Sequence, residues 1–377
     1  MHITVYSSFE TLPTQARQCW RYPAQPNFFL SLDWFAVLAQ TSLPPSTELR
    51  LYLATDNAHV PLALLACCTE PGSRQLRSLT NFYTTEFAPV ALGAASDPAP
   101  AVAALVAHIA AERPAWHSVD LRLMRAQEAP FTALQNALRQ HGFAVHPYFQ
   151  YENWFTATPD TRFDAYFAAR PSQLRNTVSR RERKLKREHE VALTLVREPG
   201  AALETALAQF ITVYQGSWKQ PEPYPDFMGA LAHAAARCGV LRLGVLTVDG
   251  QPAAAQLWIN TPGRAMIYKL AYDEKFRDYS VGSVLSSALF TMALDEDRVV
   301  EIDYGVGSEP YKRDWMTAVR TIEGLMAYNT RTLRGLMHAV AQAAVANGKK
   351  WRHRWLKQGL NKSSHHRSHE EHAQHSD

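Results

Sequence analysis

Two stretches of the chain share one pattern of apolar and polar residues. Residues 49–66, LRLYLATDNAHVPLALLA, and residues 241–258, LRLGVLTVDGQPAAAQLW, each place a short polar turn between two apolar runs. Apolar runs joined by an Asp-Asn or Asp-Gly turn predict a β-hairpin. We therefore expect one hairpin in each half of the chain.

The same elements follow both hairpins in the same order: a strand, a helical stretch and a further strand. The predicted strands cover residues 76–87 and 119–125 in the first half and residues 266–276 and 299–305 in the second half. The shared order favours duplication of one α/β unit over a chance similarity between apolar hairpins.

The joint between the two units is predicted near residues 156–161, TATPDT, where proline and polar residues interrupt the apolar pattern. A basic helix over residues 171–190 is expected to open the second unit, and a helix over residues 332–346 to close it. The resulting division of the chain is 1–158, 159–346 and 347–377. The last of these segments is basic and then histidine-rich, a composition that predicts disorder.

Composition narrows the class of protein. The formal net charge of +4 is too small an excess for a dedicated nucleic-acid binder. The 4 cysteines (Cys19, Cys67, Cys68 and Cys238) show no metal-ligand or CxxC spacing, so reduced thiols and no metal are expected. No basic and apolar leader opens the chain, and no apolar run reaches the roughly 20 residues of a membrane span. A cytoplasmic protein is therefore expected.

Candidate chemistry concentrates in residues 265–316. Lys269 lies within the apolar strand AMIYKLA, where a charged side chain needs a partner or a chemical role. The strand leads to an amphipathic helix with Ser280 at its expected N-cap and Gly282 in its first turn. Free N–H groups and the positive end of the helix dipole suit a phosphate there. A Ser-x-Gly start is more commonly a simple helix cap, and both interpretations stay open.

The next strand carries two carboxylates. In VVEIDYG, alternation places Glu301 and Asp303 on one face of the strand. Two carboxylates on a central strand indicate either a polar pocket or a charge-paired structural network. The segment that follows supplies Tyr311, Lys312 and Asp314.

Together, YKLAYDEKFRDYSVGSVL and EIDYGVGSEPYKRDWM resemble the FemAB-like branch of the GNAT acyltransferase superfamily. The resemblance extends to RPSQLRNTVSRRERKL, SWKQPEPYPDF and LRSLTNFYTTEFAPV, and so covers most of residues 28–340. It implies two tandem GNAT-like domains of α/β class, each with a mixed, mostly antiparallel sheet flanked by helices. That architecture agrees with the duplication.

In GNAT enzymes the pyrophosphate of acyl-CoA binds at the helix after the fourth strand. By similarity, the donor contacts map onto Leu270, Arg277, Tyr279, Ser280, Val281, Gly282 and Ser283. The usual basic-x-x-Gly-x-Gly/Ala pattern appears here with Ser280 in place of its first glycine and with Asp278 as an added negative charge. The resemblance implies acetyl-CoA or another acyl-CoA as co-substrate.

Acyl transfer to an amine needs a base, donors for the oxyanion and an acid for the departing thiolate. Asp303 or Glu301 is the predicted base. The backbone around Lys269, with that side chain, is the predicted oxyanion site. Many GNAT enzymes carry a tyrosine acid after the fifth strand, and Tyr311, which Lys312 follows, occupies that position.

Three further features have two interpretations each. The first half lacks the Ser-x-Gly helix start and the Tyr-Lys pair, so it is interpreted as a degenerate copy that shapes the acceptor pocket. Its residues Asn81, Phe82, Tyr83 and Thr84 either line that pocket or simply end a strand. The proline-rich loop 217–227 either closes a pocket or acts as a rigid connector. The basic face of helix 171–190 is either solvated or holds donor phosphates.

The leading functional prediction is an N-acyltransferase that moves an acyl group, most simply acetyl, onto an amine of a small molecule, saccharide or peptide, in cell-envelope or polysaccharide biosynthesis. The alternative donor is aminoacyl-tRNA, as in FemAB proteins that build peptidoglycan cross-bridges, although no segment matches the helical-hairpin arm of such enzymes. A non-catalytic interaction module is the third hypothesis. Asp303, Tyr311 and Lys312 argue against it.

Residues 349–357, KKWRHRWLK, set Trp351 and Trp355 among basic side chains. Such a stretch either packs back onto the second domain, which is the plainer interpretation, or makes peripheral contact with an anionic membrane at its inner face.

Overall fold

The computed structural model describes residues 1–93, 98–307 and 309–345. One mixed sheet of 13 strands runs through these residues. Its strands are β1 (His2–Tyr6), β2 (Glu48–Thr55), β3 (Pro61–Thr69), β4 (Gln75–Ser78), β5 (Val90–Ala91), β6 (Ser118–Arg125), β7 (Phe143–Ala157), β8 (Val191–Val196), β9 (Leu241–Val248), β10 (Gln251–Thr261), β11 (Arg264–Tyr272), β12 (Glu301–Asp303) and β13 (Ala318–Asn329).

Helices flank this sheet. They are α1 (Thr14–Trp20), α2 (Leu32–Ser42), α3 (Ala99–Ala111), α4 (Ala129–Gln140), α5 (Phe163–Ala168), α6 (Ser172–Glu188), α7 (Ala201–Gln215), α8 (Pro225–Arg237), α9 (Val281–Thr291), α10 (Tyr311–Trp315) and α11 (333–345). Short 3-10 helices cover Phe28–Leu30 and Glu274–Tyr279, and α9 continues into a π-helical turn over Met292–Glu296.

The predicted duplication is confirmed, and the two copies exchange their last strands. Across the sheet the order is β1-β2-β3-β4-β6-β13-β7-β12-β11-β10-β9-β8, with β5 beside β3. Thus β13, from the second half, pairs with β6 of the first half, and β7, from the first half, pairs with β12 of the second. Most neighbours are antiparallel, while β4 with β6 and β11 with β12 are parallel. The exchange joins both halves in one sheet; a domain boundary at 158/159, just after β7, is kept as a proposal.

Both predicted hairpins are present, as β2–β3 and β9–β10, but three predicted strands were too long. The strand expected over 266–276 ends at Tyr272, and the 3-10 helix Glu274–Tyr279 follows it. The strand expected over 76–87 ends at Ser78, because a local turn competes with extension: the Asn81 side chain accepts the N–H of Tyr83, and the Thr84 hydroxyl accepts the N–H of Asn81. The strand expected over 299–305 covers only β12. It stops where the Asp303 carboxylate accepts the N–H of Gly305, whose φ is +63°.

The predicted tail over 347–377, with the basic and aromatic stretch 349–357, lies outside the described residues. Within the described ranges, no helix combines the length and apolar character that crossing a bilayer requires.

Candidate functional site

The parallel strands β11 and β12 separate after a short contact. They pair only from Arg264 to Met266 on β11. The register between β10 and β11 also shifts between Leu257 and Trp258, so that Tyr268 is an extra residue on β11. Beyond Met266, the backbone of residues 267–270 therefore has no neighbouring strand on the β12 side. The predicted oxyanion site faces this gap.

Two cavities open at the gap. The first, here called the cationic cavity, has a volume of about 260 Å³ and contains Lys219, Lys269 and Lys312 in its wall. The second, here called the helix cavity, has a volume of about 420 Å³ and reaches the first turn of α9. Leu270, Tyr304 and Tyr311 line both cavities. A ligand in one cavity can therefore meet a ligand in the other at these three residues.

The helix cavity lies against the start of α9. Gly282 and Ser283 line it, and Trp218 and Tyr272 form an aromatic wall with ring centroids 4.7 Å apart. The first N–H groups of a helix lack intrahelical acceptors and carry the positive end of its dipole. Ser280 holds the N-cap position in a left-handed conformation, φ +51°, with no capping hydrogen bond from its side chain. The family pattern places a glycine at that position, the residue that adopts such a φ without strain.

Four of the predicted donor contacts do not line the helix cavity, namely Arg277, Tyr279, Ser280 and Val281. The Arg277 side chain is exposed, and Val281 is fully buried in the core. Tyr279 turns towards α6: its hydroxyl donates to Glu188 over 3.1 Å, and Lys184 Nζ lies 4.7 Å from its ring centroid. Of the predicted donor contacts, Leu270, Gly282 and Ser283 are the ones that line the helix cavity.

A buried amide fixes the start of α9. Gln256 Nε2 donates to the Gly282 carbonyl over 3.1 Å and to the Ser286 hydroxyl over 2.8 Å, while its Oε1 accepts from Trp258 Nε1 over 2.9 Å. Gln256 is not among the site residues predicted from the sequence. A lone glutamine in the apolar strand segment AAAQLW was the available signal.

The cationic cavity is organised by ion pairs. Lys269 Nζ, the lysine predicted to need a partner, lies 2.7 Å from Glu222 Oε1, and both side chains are largely buried. Burial alone would raise the pKa of Glu222, but hydrogen bonds from Lys269 and Tyr214 lower it below its ordinary value. Lys312 is 3% exposed and donates to the Gly307 carbonyl, 3.1 Å away, and to Glu309, 2.9 Å away. Lys312 thus fixes the loop between β12 and α10.

Lys219 differs from the other two lysines. Its Nζ lies among aromatic rings, 5.7 Å from the centroid of Tyr214 and 5.8 Å from that of Trp218. Burial, followed by the charge of Lys269, lowers the pKa of Lys219 to about 8. A fraction of this amine is therefore neutral near physiological pH, a state suited to accepting a proton. From the sequence, Lys219 was predicted only to belong to the proline-rich loop.

That loop contributes to both cavities. Trp218 lines the helix cavity, Lys219 lines the cationic cavity, and Glu222 holds Lys269. From the first half, Phe82 and Tyr83 line the cationic cavity. The other two predicted lining residues do not: Asn81 donates to Ser42, and Thr84 is buried.

The two predicted base carboxylates lie in a buried ion network instead. Asp303 is fully buried, lies 2.6 Å from Arg264 and also contacts Arg320. Glu301 lies 2.8 Å from Arg320 and 3.4 Å from Arg264. Burial alone would raise the pKa of Asp303, but the charges of Arg264 and Arg320 lower it far below its ordinary value. Neither carboxylate lines the cationic or the helix cavity, so of the two interpretations the geometry fits the charge-paired network.

This network also positions the loop after β12. The Asp303 carboxylate accepts hydrogen bonds from Asn153 Nδ2 and from the Gly305 N–H, both over 2.7 Å. Asn153 Nδ2 in turn donates to the Gly305 carbonyl over 2.9 Å. Asp303 therefore holds the segment that carries Tyr304. Among the described residues, no group of three or more His, Cys, Asp and Glu side chains is arranged to hold a metal ion.

Comparisons with known proteins agree with this geometry. The family described as "Acetyltransferase (GNAT) domain" matches residues 172–313. The crystal structure of FemX matches with a TM-score of 0.60 and 10% identity, covering 89% of this chain and 100% of that chain. A conserved protein from Bacteroides thetaiotaomicron matches with a TM-score of 0.55 and 11% identity, covering 87% of this chain and 100% of that chain. A search of curated proteins finds no match.

At such identities the two structural matches show the fold alone. The family match covers residues 172–313, the segment that carries α9 together with Tyr304 and Tyr311. Residues 172–313 therefore match a GNAT acetyltransferase domain, and the chain as a whole is similar in fold to FemX.

Proposed function

We propose that this protein is an N-acyltransferase that carries an acyl group, in the simplest case acetyl from acetyl-CoA, to an amine. The observation that carries the proposal is the junction of two cavities at Leu270, Tyr304 and Tyr311. The donor occupies the helix cavity and the acceptor occupies the cationic cavity, so that thioester and amine meet at the junction. The free cysteines are consistent with a cytoplasmic enzyme.

The helix cavity suits both ends of an acyl-CoA. The N–H groups at the start of α9 bind its pyrophosphate, and Gly282 allows the phosphates to approach the backbone. The apolar walls formed by Trp218, Tyr272 and Leu174 suit the pantetheine arm. The thioester then reaches Leu270, where the β11 backbone is open.

The acceptor amine attacks the thioester carbonyl carbon, forming a C–N bond and a tetrahedral oxyanion. Backbone N–H groups of residues 267–270 stabilise that oxyanion. Lys219 takes the proton that the amine loses. The C–S bond then breaks, and Tyr311 gives its proton to the departing thiolate. Burial, followed by the Glu309 carboxylate, raises the pKa of Tyr311, which keeps the phenol protonated at neutral pH.

Lys219 replaces the predicted carboxylates as the proposed base. Asp303 and Glu301 are held by arginines outside both cavities, whereas Lys219 lines the acceptor side with a pKa of about 8. A base whose pKa is near the working pH combines an adequate neutral fraction with useful basicity.

The acceptor is proposed to carry an anionic group beside its amine. In the cationic cavity Lys269 pairs with Glu222 and Lys312 with Glu309, so the cavity carries an excess positive charge whenever Lys219 is protonated, as it is after it has taken the proton of the amine. A carboxylate or phosphate on an amino sugar, amino acid or peptide would neutralise that excess.

One observation favours a second donor, aminoacyl-tRNA. Gln173 and Thr177 of α6 line the helix cavity, and the basic face of α6 continues from there with Arg180, Arg181 and Arg183. In the described part of the chain, Arg181 Nε is buried without a hydrogen-bond partner. Such arginines suit the phosphates of RNA as well as those of CoA.

Thermal unfolding with acetyl-CoA, CoA and bulk tRNA tests the proposal. A ligand at about 100 times its dissociation constant adds about 2.7 kcal/mol to the free energy of unfolding. We expect acetyl-CoA and CoA to raise the melting temperature, and thiol release to follow when a panel of anionic amines is added. Stabilisation by tRNA alone would favour the second donor. No stabilisation by any of them would favour a non-catalytic module.

A further inference from the structure

Helix α11 is firmly attached to the body of the protein by one narrow face. The Thr332 hydroxyl accepts the N–H of Gly335 over 3.1 Å, which caps the first turn. Gly335 and Ala339 are the buried positions of α11. The fit at Gly335 is close, because a Cβ atom there would lie 2.2 Å from the Asn329 carbonyl oxygen. The helix is thus held in a defined orientation.

The opposite face of α11 is apolar and faces away from the protein. Leu333 is 77% exposed, Leu336 45%, Met337 56% and Val340 61%. At about 100° per residue these four positions fall in one sector of the helix, across from Gly335 and Ala339. Arg334 lies beside this sector, whereas the ring of His338 stacks on Tyr328 of β13. An exposed face of four large apolar side chains on one helix marks an interaction surface rather than scattered surface residues.

The charge of the surrounding sequence indicates the partner. Residues 324–369 contain no Asp or Glu and 9 Lys and Arg residues, namely Arg331, Arg334, Lys349, Lys350, Arg352, Arg354, Lys357, Lys362 and Arg367. The whole chain carries +4, so the remainder is net negative. A second copy of the chain would bring two such basic segments together. Nucleic acid would match the charge but not the aliphatic face.

We propose that α11 lies on the surface of an anionic lipid bilayer. Its apolar face enters the boundary between headgroups and acyl chains, while Arg331 and Arg334 contact the headgroup phosphates. Amphipathic helices that combine an apolar sector with basic neighbours bind in this way, and each Lys or Arg near an anionic surface adds to the attraction. This inference does not depend on the acyl-transfer proposal, because it rests on a surface outside both cavities.

Co-sedimentation of the full chain with vesicles tests the inference. We expect binding to equimolar phosphatidylcholine and phosphatidylglycerol, and little binding to phosphatidylcholine alone. Leu336→Gln combined with Val340→Gln should weaken that binding about tenfold or more, since both side chains leave the acyl region. The matched control is Leu193→Gln combined with Ile211→Gln, two residues that are each 50% exposed elsewhere. That control should bind like the unchanged protein.

Several results would overturn the inference. They are equal binding by the Leu336/Val340 variant and the unchanged protein, no preference for the anionic vesicles, and a self-association in solution that the Leu336/Val340 variant abolishes. Binding of tRNA that this variant weakens equally would assign the face to nucleic acid instead. Because all four positions are exposed, each variant should melt within a degree or so of the unchanged protein, and melting curves check this.

Discussion

The rings of Tyr304 and Tyr311 meet edge to face, with centroids 5.6 Å apart, and both line the cationic and the helix cavity. Tyr304 is buried, and its burial, followed by the nearby Tyr311, raises its pKa well above the ordinary value. The buried Tyr304 supports the ring of the more exposed Tyr311. Of the two phenols, Tyr311 is therefore the one proposed to meet the departing thiolate.

Tyr311→Phe removes one hydroxyl and keeps the ring contact with Tyr304. Turnover should fall by about 10²–10⁴-fold, the range that general acid catalysis supplies, while acetyl-CoA affinity stays unchanged. Thiol release measures the turnover, and calorimetry measures the affinity for acetyl-CoA. Tyr328→Phe is the matched control, because Tyr328 stacks on His338 away from both cavities. Full turnover in Tyr311→Phe would assign the acid to another group.

Gly282→Asp and Gly282→Ala separate charge from size at the start of α9. A Cβ atom at Gly282 would lie 3.3 Å from Tyr272 Cδ1, a tight contact that the ring can accommodate by a small shift. We expect Gly282→Ala to bind acetyl-CoA somewhat more weakly. Gly282→Asp also adds a negative charge where the pyrophosphate is proposed to dock, so binding should be lost. Equal affinity of both variants in calorimetry would place the phosphates elsewhere.

The lowered pKa of Lys219 predicts unusual reactivity. Half of the Lys219 amine should be neutral at a pH of about 8, whereas an ordinary exposed lysine is half neutral only near pH 10.4. Acetylation by acetic anhydride, followed by mass spectrometry of the peptides, measures the reactivity of Lys219 and of a second lysine in the same sample. Lys275, whose side chain is 80% exposed, is the internal comparison. Reactivity of Lys219 that follows Lys275 across the pH range would remove it as the proposed base. If neutral Lys219 is the base, turnover should rise as the pH passes through about 8, and Lys219→Met should abolish that rise.

Asp303→Asn tests the structural role of the ion network. The neutral amide removes one of the carboxylates that pair with Arg264 and Arg320, so Glu301 and Glu86 remain but the buried network loses one negative charge, a change that costs about 3–5 kcal/mol. Urea unfolding midpoints measure this cost. Glu296→Gln is the control, because it breaks the exposed pair with Arg197, which contributes about 1 kcal/mol or less.

The lowered pKa of Asp303 predicts that the loss of stability caused by Asp303→Asn depends on pH. The pKa of Asp303 is lower in the folded than in the unfolded protein, so its stabilising contribution is present above the unfolded value of about 3.9 and is lost as the pH falls below it. The difference in free energy of unfolding between the unchanged protein and Asp303→Asn should therefore narrow below about pH 4. A difference that is constant from pH 3 to pH 7 would contradict a depressed pKa.

The sequence by itself determined the elements and their repetition. The hairpins β2–β3 and β9–β10 follow from apolar runs joined by a short polar turn, and α9 follows from apolar residues at helical spacing. These are local properties, so they can be read from neighbouring residues. The residues around Gly282 and Tyr311 were found in the same way, through a contiguous motif.

Only the tertiary structure decided which charged groups are available for chemistry. Asp303 is neutralised by Arg264 and Arg320, 39 and 17 residues away in sequence, and Arg264 also binds Glu86 from the first half, 178 residues away. The exchange of β7 and β13 places β13, which carries Arg320, close to β12 and β11, which carry Asp303 and Arg264. No local sequence pattern encodes this exchange. Lys219 likewise has a pKa of about 8 because the fold buries it and places Lys269 nearby. Burial and distant charges set the pKa of a side chain, and both are properties of the folded chain.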